Sequence, residues 1–153
     1  LKPRGYTIVE LITVMVVLGV LSAIAVPRLM SNQWNGIAWR QEVLSALRHA
    51  QKSAVGHRRL VCANVQAAQV SLSIATANPA TGCAQAFASP DNQPYASRNN
   101  AVVAGGMLGM LHFQPDGRIT IDAAGTANVA AGSSITITDA APIRVDGETG
   151  YVD

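Results

Sequence analysis

The chain has 153 residues, a formal charge of +2, and 49% hydrophobic but only 5% aromatic residues. This length suits one compact domain plus an appendage, and so small a charge gives no ground for a nucleic-acid partner. The apolar residues gather at the N-terminus. The remainder is rich in Ala, Gly, Ser, Thr and Asn, which points to a β-rich domain with a modest core.

The first element runs from Tyr6 to Val26 and is long enough to cross a bilayer as a helix. Lys2 and Arg4 precede it, so its N-terminal end is expected to face the cytoplasm and the rest of the chain the periplasm. The chain does not open on Met, and further leader residues are expected upstream. A secretory signal peptide would have a shorter apolar region followed by a small-x-small cleavage site. Here Ser22-Ala23-Ile24-Ala25 leads into more helix. A plain membrane anchor is the simpler alternative, and Glu10 argues against it. A carboxylate in hydrocarbon costs several kcal/mol unless it is paired or protonated. Glu10 lies one helical turn after Tyr6. Cleavage between Gly5 and Tyr6 would give Tyr6 an α-ammonium, which could meet Glu10 of its own chain or of a neighbour.

Arg4-Gly5-Tyr6-Thr7-Ile8-Val9-Glu10-Leu11 resembles the type IV prepilin processing signature: a basic leader ending in Gly, then Phe, Thr, two aliphatic residues and Glu. Tyr6 stands where Phe is usual. The resemblance implies cleavage after Gly5 and N-methylation of Tyr6 by an inner-membrane prepilin peptidase. It also implies an assembly role for Glu10 and a helix-kinking role for Pro27, which lacks an N–H and crowds the preceding turn. The chain then divides into the end of a leader (residues 1–5), a transmembrane half-helix (6–26), a periplasmic half-helix (27–57) and a β-rich head (58–153).

Beyond Pro27 the helical pattern resumes. Ile37, Val43, Leu44, Leu47, Ala50, Ala54 and Val55 recur at helical spacing, and Gly56 is a stop signal. Trp34 and Trp39 fit either the membrane interface or packing against the head, with Trp34 the better interfacial candidate. Arg28, Arg40, Arg48, Lys52, Arg58 and Arg59 meet a single acid, Glu42, in this segment, whereas acids prevail after Leu60. A solvated helix face explains this as readily as a basic stalk meeting the acidic head of another subunit.

The head reads as strands. Arg59–Val65 and Val70–Thr76 alternate and are joined by a turn at Gln66–Gln69. A Pro-rich loop follows, from Asn78-Pro79 to Gln93-Pro94. Further strands are predicted at Leu108–Phe113, Arg118–Asp122, Ser134–Thr138 and Ile143–Val145, with a short return at Tyr151-Val152. Gly105-Gly106 reads as a turn before a strand. The fold class is α+β: a long N-terminal helix packed on a C-terminal β-sheet domain. Cys62 and Cys83 lie in an oxidising compartment, where a disulfide is expected rather than two buried thiols.

Phe113-Gln114-Pro115-Asp116-Gly117-Arg118 resembles a turn of the GspH/FimT minor pseudopilins, and Leu44 to Gln51 resembles their helix. The ending Gly147 to Val152 is similar to minor pilins of mannose-sensitive haemagglutinin pili. These resemblances imply a subunit that initiates or caps a filament. Its partners would be the prepilin peptidase/methyltransferase, other major and minor pilins or pseudopilins, the inner-membrane assembly platform and membrane lipid. Type II secretion and a type IV pilus both accommodate it.

No catalytic, cofactor or metal motif appears. His49, His57 and His112 have no ligand spacing with the cysteines, no Lys-Ser/Thr follows the glycines, and Asp116, Asp122, Asp139 and Asp146 have no EF-hand spacing. DNA capture, as in FimT-like pilins, is the alternative. It needs a basic surface, but Arg144 is accompanied by Asp146, Glu148 and Asp153.

Overall fold

The computed structural model describes residues 7–29 and 32–153. Two helices precede a head of nine strands among these residues. Helix α1 spans Ile8–Leu29 and α2 spans Asn32–His57. Pro27 lies in the last turn of α1. The expected long helix is described as α1 and α2, and residues 30 and 31 between them lie outside the described residues.

Helix α2 forms the spine of the head. Strong helix formers, Ala, Leu, Arg, Gln, Glu and Lys, make up half of it. Its buried stripe is Gly36, Trp39, Val43, the adjacent pair Ala46 and Leu47, Ala50 and Ala54, which recurs every three or four residues. Ile37 and Val55, which the sequence placed in that stripe, are exposed. The helical period carries both onto the opposite face. Trp39 is in the core and Trp34 is exposed. Gly36 is needed for close approach, because a Cβ there would collide with the carbonyl of Thr138.

The expected stop at Gly56 falls two residues early. The helix closes at Arg58, whose φ is 52°. The Arg59 N–H donates to the Ala54 carbonyl at 3.2 Å and the Arg58 N–H to the Val55 carbonyl at 3.3 Å. This is a Schellman-type end, built with Arg where Gly is usual. The Asn78 side-chain amide donates to the Arg58 carbonyl at 2.9 Å and secures the same corner.

The strands are β1 (Val61–Val65), β2 (Gln69–Ile74), β3 (Gln85–Ala86), β4 (Tyr95–Ala96), β5 (Ala104–Gly106), β6 (Gly109–Phe113), β7 (Ile119–Thr120), β8 (Ser133–Ile137) and β9 (Ala140–Val145). One antiparallel sheet has the order β3-β2-β1-β6-β7, with β4 also on β2. The second has the order β5-β8-β9. In the β1–β2 hairpin Val65 pairs with Val70, and the Gln66 N–H donates to the Gln69 carbonyl at 2.9 Å across the expected turn. Val145 and Val152 form a bridge, so the Tyr151-Val152 return lies beside β9. Gly105 and Gly106 are not a simple turn, since they pair with Thr136 and Ile135 as an edge strand.

Both sheets pack on α2. Their inner residues, among them Leu111, Phe113, Ile119, Ile135 and Ile143, join the α2 stripe in one core. Burying each such side chain contributes about 1.5–3 kcal/mol. Truncating one, as in Leu47→Ala, would cost about 2–5 kcal/mol. A smaller cluster of Leu60, Cys62 and Ala75 lies on the other side of the first sheet. A Cys62–Cys83 disulfide holds the following loop over it.

Candidate functional site

The N-terminal segment is where the expected processing chemistry would lie. Gly5 and Tyr6 lie outside the described residues. The helix that follows has a defined start. The Glu10 N–H donates to Thr7 Oγ1 at 3.1 Å, and the Leu11 N–H to the Thr7 carbonyl at 3.1 Å. Thr7 is therefore the N-cap and Glu10 the third helical residue. Thr7-Ile8-Val9-Glu10 is a Thr-x-x-Glu sequence, a capping signal that the processing signature hides. The carboxylate of Glu10 also lies at the positive end of the helix dipole. The dipole favours a carboxylate at this position, whereas the Thr7 cap serves the Glu10 backbone N–H.

Beyond Glu10 the helix is apolar on every side. Ile8–Ala25 has a mean hydropathy of 2.6, none of it is buried against the head, and it is long and apolar enough to cross a membrane. The Ser22 hydroxyl donates to the Leu18 carbonyl at 2.7 Å, so its polar group is satisfied within the helix. A helix that is apolar all round and exposed needs an apolar surrounding.

Residues 2–26 match the family model of the prokaryotic N-terminal methylation motif. No curated protein and no solved structure matches the chain. The motif covers the basic residues, Gly5, Tyr6, Glu10 and nearly all of the apolar helix. It supports a type IV pilin-like or pseudopilin-like precursor, a class of structural subunits. With the apolar helix, it also supports membrane anchoring, processing by a prepilin peptidase and assembly with other pilins. The α+β architecture is pilin-like.

Two helix cations reach the head of their own chain. Arg40 Nε donates to the Ala141 carbonyl at 3.0 Å. Arg48 donates to the Val152 carbonyl. The remaining basic residues of the helix end, Lys52, Arg58 and Arg59, are exposed. Sequence reading missed these intrachain contacts because nothing local marks them.

The head's aspartates serve its turns. Asp122 accepts the N–H groups of Thr126 at 3.0 Å and Ala127 at 2.7 Å, as well as the Thr126 hydroxyl. These bonds, with the two backbone donors foremost, hold its pKa down to about 2. Asp146 accepts from the Thr149 and Glu148 N–H groups, which lower its pKa. Asp116 pairs with Arg118 at 2.8 Å, the one ion pair among the described residues. Asp139 is in the two-residue turn between β8 and β9, at φ 56°. Among the described residues no three His, Cys, Asp or Glu side chains are grouped to hold a metal.

The histidines are structural too. His49 stacks on Phe87 with ring centres 5.0 Å apart, and its Nδ1 is hydrogen-bonded to the Tyr95 hydroxyl at 3.2 Å. His57 meets the same Phe87 ring edge-on. Together they dock the 85–96 segment onto α2. His112 lies in β6, paired with Cys62 and Thr120.

Proposed function

We propose that the chain is a minor pilin or pseudopilin of the GspH/FimT type, which initiates or caps a type IV pilus or type II secretion pseudopilus. The prepilin peptidase cleaves between Gly5 and Tyr6 and methylates the new Tyr6 amine. The head stays in the periplasm and α1 in the inner membrane until assembly. Glu10 then pairs with the Tyr6 ammonium of a neighbouring subunit. The observation that carries this reading is the methylation motif over residues 2–26, with Glu10 in the first turn of a helix whose Ile8–Ala25 span is apolar enough to cross a membrane and unburied. An unpaired carboxylate in low-dielectric surroundings is costly, so a pairing partner gives assembly its selectivity.

Its test separates assembly from the steps before it. Glu10→Ala makes the helix more apolar and should insert normally. Cleavage should persist, since Gly5 and Tyr6 remain. Crosslinking to partner pilins should be lost. Normal crosslinking and filament output from a processed variant would remove the assembly role.

A further inference from the structure

The face of α2 opposite the head runs through Trp34, Ile37, Gln41, Ser45, Lys52 and Val55. Its character changes along the helix. Trp34 is 54% exposed and Ile37 42% exposed, yet from Gln41 to Lys52 the stripe is polar or charged. A surface built to pair lengthwise with another helix would keep its apolar stripe over several turns. Here Trp34 and Ile37 form the apolar part at the end nearest α1, and Val55 stands alone at the far end, beyond the polar turns.

We infer that Trp34 and Ile37 lie in the lipid headgroup layer and rest the base of the head on the membrane surface. This builds on the reading of α1 as a membrane span. Helix α1 has 22 residues, about 33 Å at 1.5 Å per residue, against a hydrocarbon core of about 30 Å. Trp34 follows the end of α1 at Leu29 by only five residues, which reach at most about 17 Å even if extended. The headgroup layer begins where the core ends and is about 5–7 Å deep on each side. A tryptophan placed there keeps its ring among the upper acyl chains and its N–H among polar groups. The charge pattern agrees. No Asp or Glu occurs between Glu10 and Glu42, while Arg28 and Arg40 do. An acid-free stretch with two cations suits a layer of lipid phosphates.

The chain reports on this itself, because it has two tryptophans and the other, Trp39, is 2% exposed in the core. The experiment is fluorescence quenching of the full chain, reconstituted one per nanodisc, with phospholipid brominated near the headgroup end of its acyl chains. The expected result is loss of the Trp34 emission, with the Trp39 emission retained and acrylamide in the water without effect on either. Trp34→Ala should lack the quenched component and keep the Trp39 emission, which also shows that the head is folded. Trp34 emission quenched by acrylamide and untouched by brominated lipid, in chain still held by the disc, would overturn the inference and leave the membrane span standing. Shielding that appears only with two chains per disc would assign the face to a second copy and overturn it equally. A chain that does not stay with the disc would overturn both readings.

Discussion

The guanidinium of Arg48 donates to the Val152 carbonyl, from Nη2 at 3.1 Å and from Nε at 3.4 Å. This joins the middle of α2 to the chain segment that closes the second sheet. Val152 bridges Val145, and the Asp153 and Arg144 backbones exchange hydrogen bonds at 2.8 and 3.1 Å. Arg48→Met keeps most of the aliphatic stem and removes these donors. It should destabilise the head by about 1–2 kcal/mol, as expected for hydrogen bonds from a charged group at a partly buried site. The urea midpoint of the full chain in detergent reads this, and an unchanged midpoint would mean that the clamp contributes nothing.

The αL position at the end of α2 makes the opposite kind of prediction. Arg58 has a φ of 52° without glycine's tolerance for it. Arg58→Gly should stabilise the chain by about 0.5–1 kcal/mol, the left-handed strain relieved less the added unfolded-state entropy. A lower thermal midpoint in the variant would show that the Arg58 side chain contributes more than its backbone costs.

The Cys62–Cys83 bridge has a sequence separation of 21 residues. Loop-closure entropy gives it a contribution of about 3 kcal/mol. The Cys62→Ala/Cys83→Ala chain should unfold at correspondingly lower denaturant. It should also lose amide protection first at the loop and at the Asn78–Arg58 contact, which depends on that loop. Equal midpoints for the two chains would refute the assignment.

Acid should act on the head in two windows. The Asp122 pKa is lowered from 3.8 to about 2 by the Thr126 and Ala127 N–H groups. The unfolded chain therefore takes up that proton first, and the stabilisation is complete above 3.8 and lost as the pH falls toward 2. Burial lowers the His49 pKa from 6.5, so stability also declines as the pH falls below that value. Asp122→Asn should shrink only the lower window, to which Asp116 and Asp146, whose pKa values are also lowered, still contribute, and His49→Gln should flatten the upper. Denaturation midpoints across the acid range read both, and unaltered pH profiles in the variants would contradict the account.

The elements legible in the sequence were those whose signal is local. The apolar run, the β1–β2 hairpin and the longer strands announce themselves by periodicity and by turn residues such as Pro115-Asp116-Gly117. The short strands β3, β4 and β5 were hidden. Gln85–Ala86 and Tyr95–Ala96 sit in a Pro-rich stretch and exist because β2 offers them an edge, and Gly105–Gly106 has little strand preference of its own. The Arg40 and Arg48 contacts were equally hidden, since each joins residues about a hundred positions apart. Thr7 was legible but masked, because the processing signature and the capping sequence share the same residues. Ile37 and Val55 were misplaced because apolar character alone does not fix which side of α2 meets the head.

The central claim is that this chain is a precursor whose maturation begins at Gly5 and Tyr6. Intact-mass and N-terminal peptide analysis of the protein, recovered from cells with and without the prepilin peptidase, tests it most directly. The account predicts a mature chain that begins at N-methylated Tyr6 only where the peptidase is present. Gly5→Glu should abolish that product by obstructing access to the scissile bond. Wild-type protein that retains Lys2 and Arg4 in cells with active peptidase would contradict it.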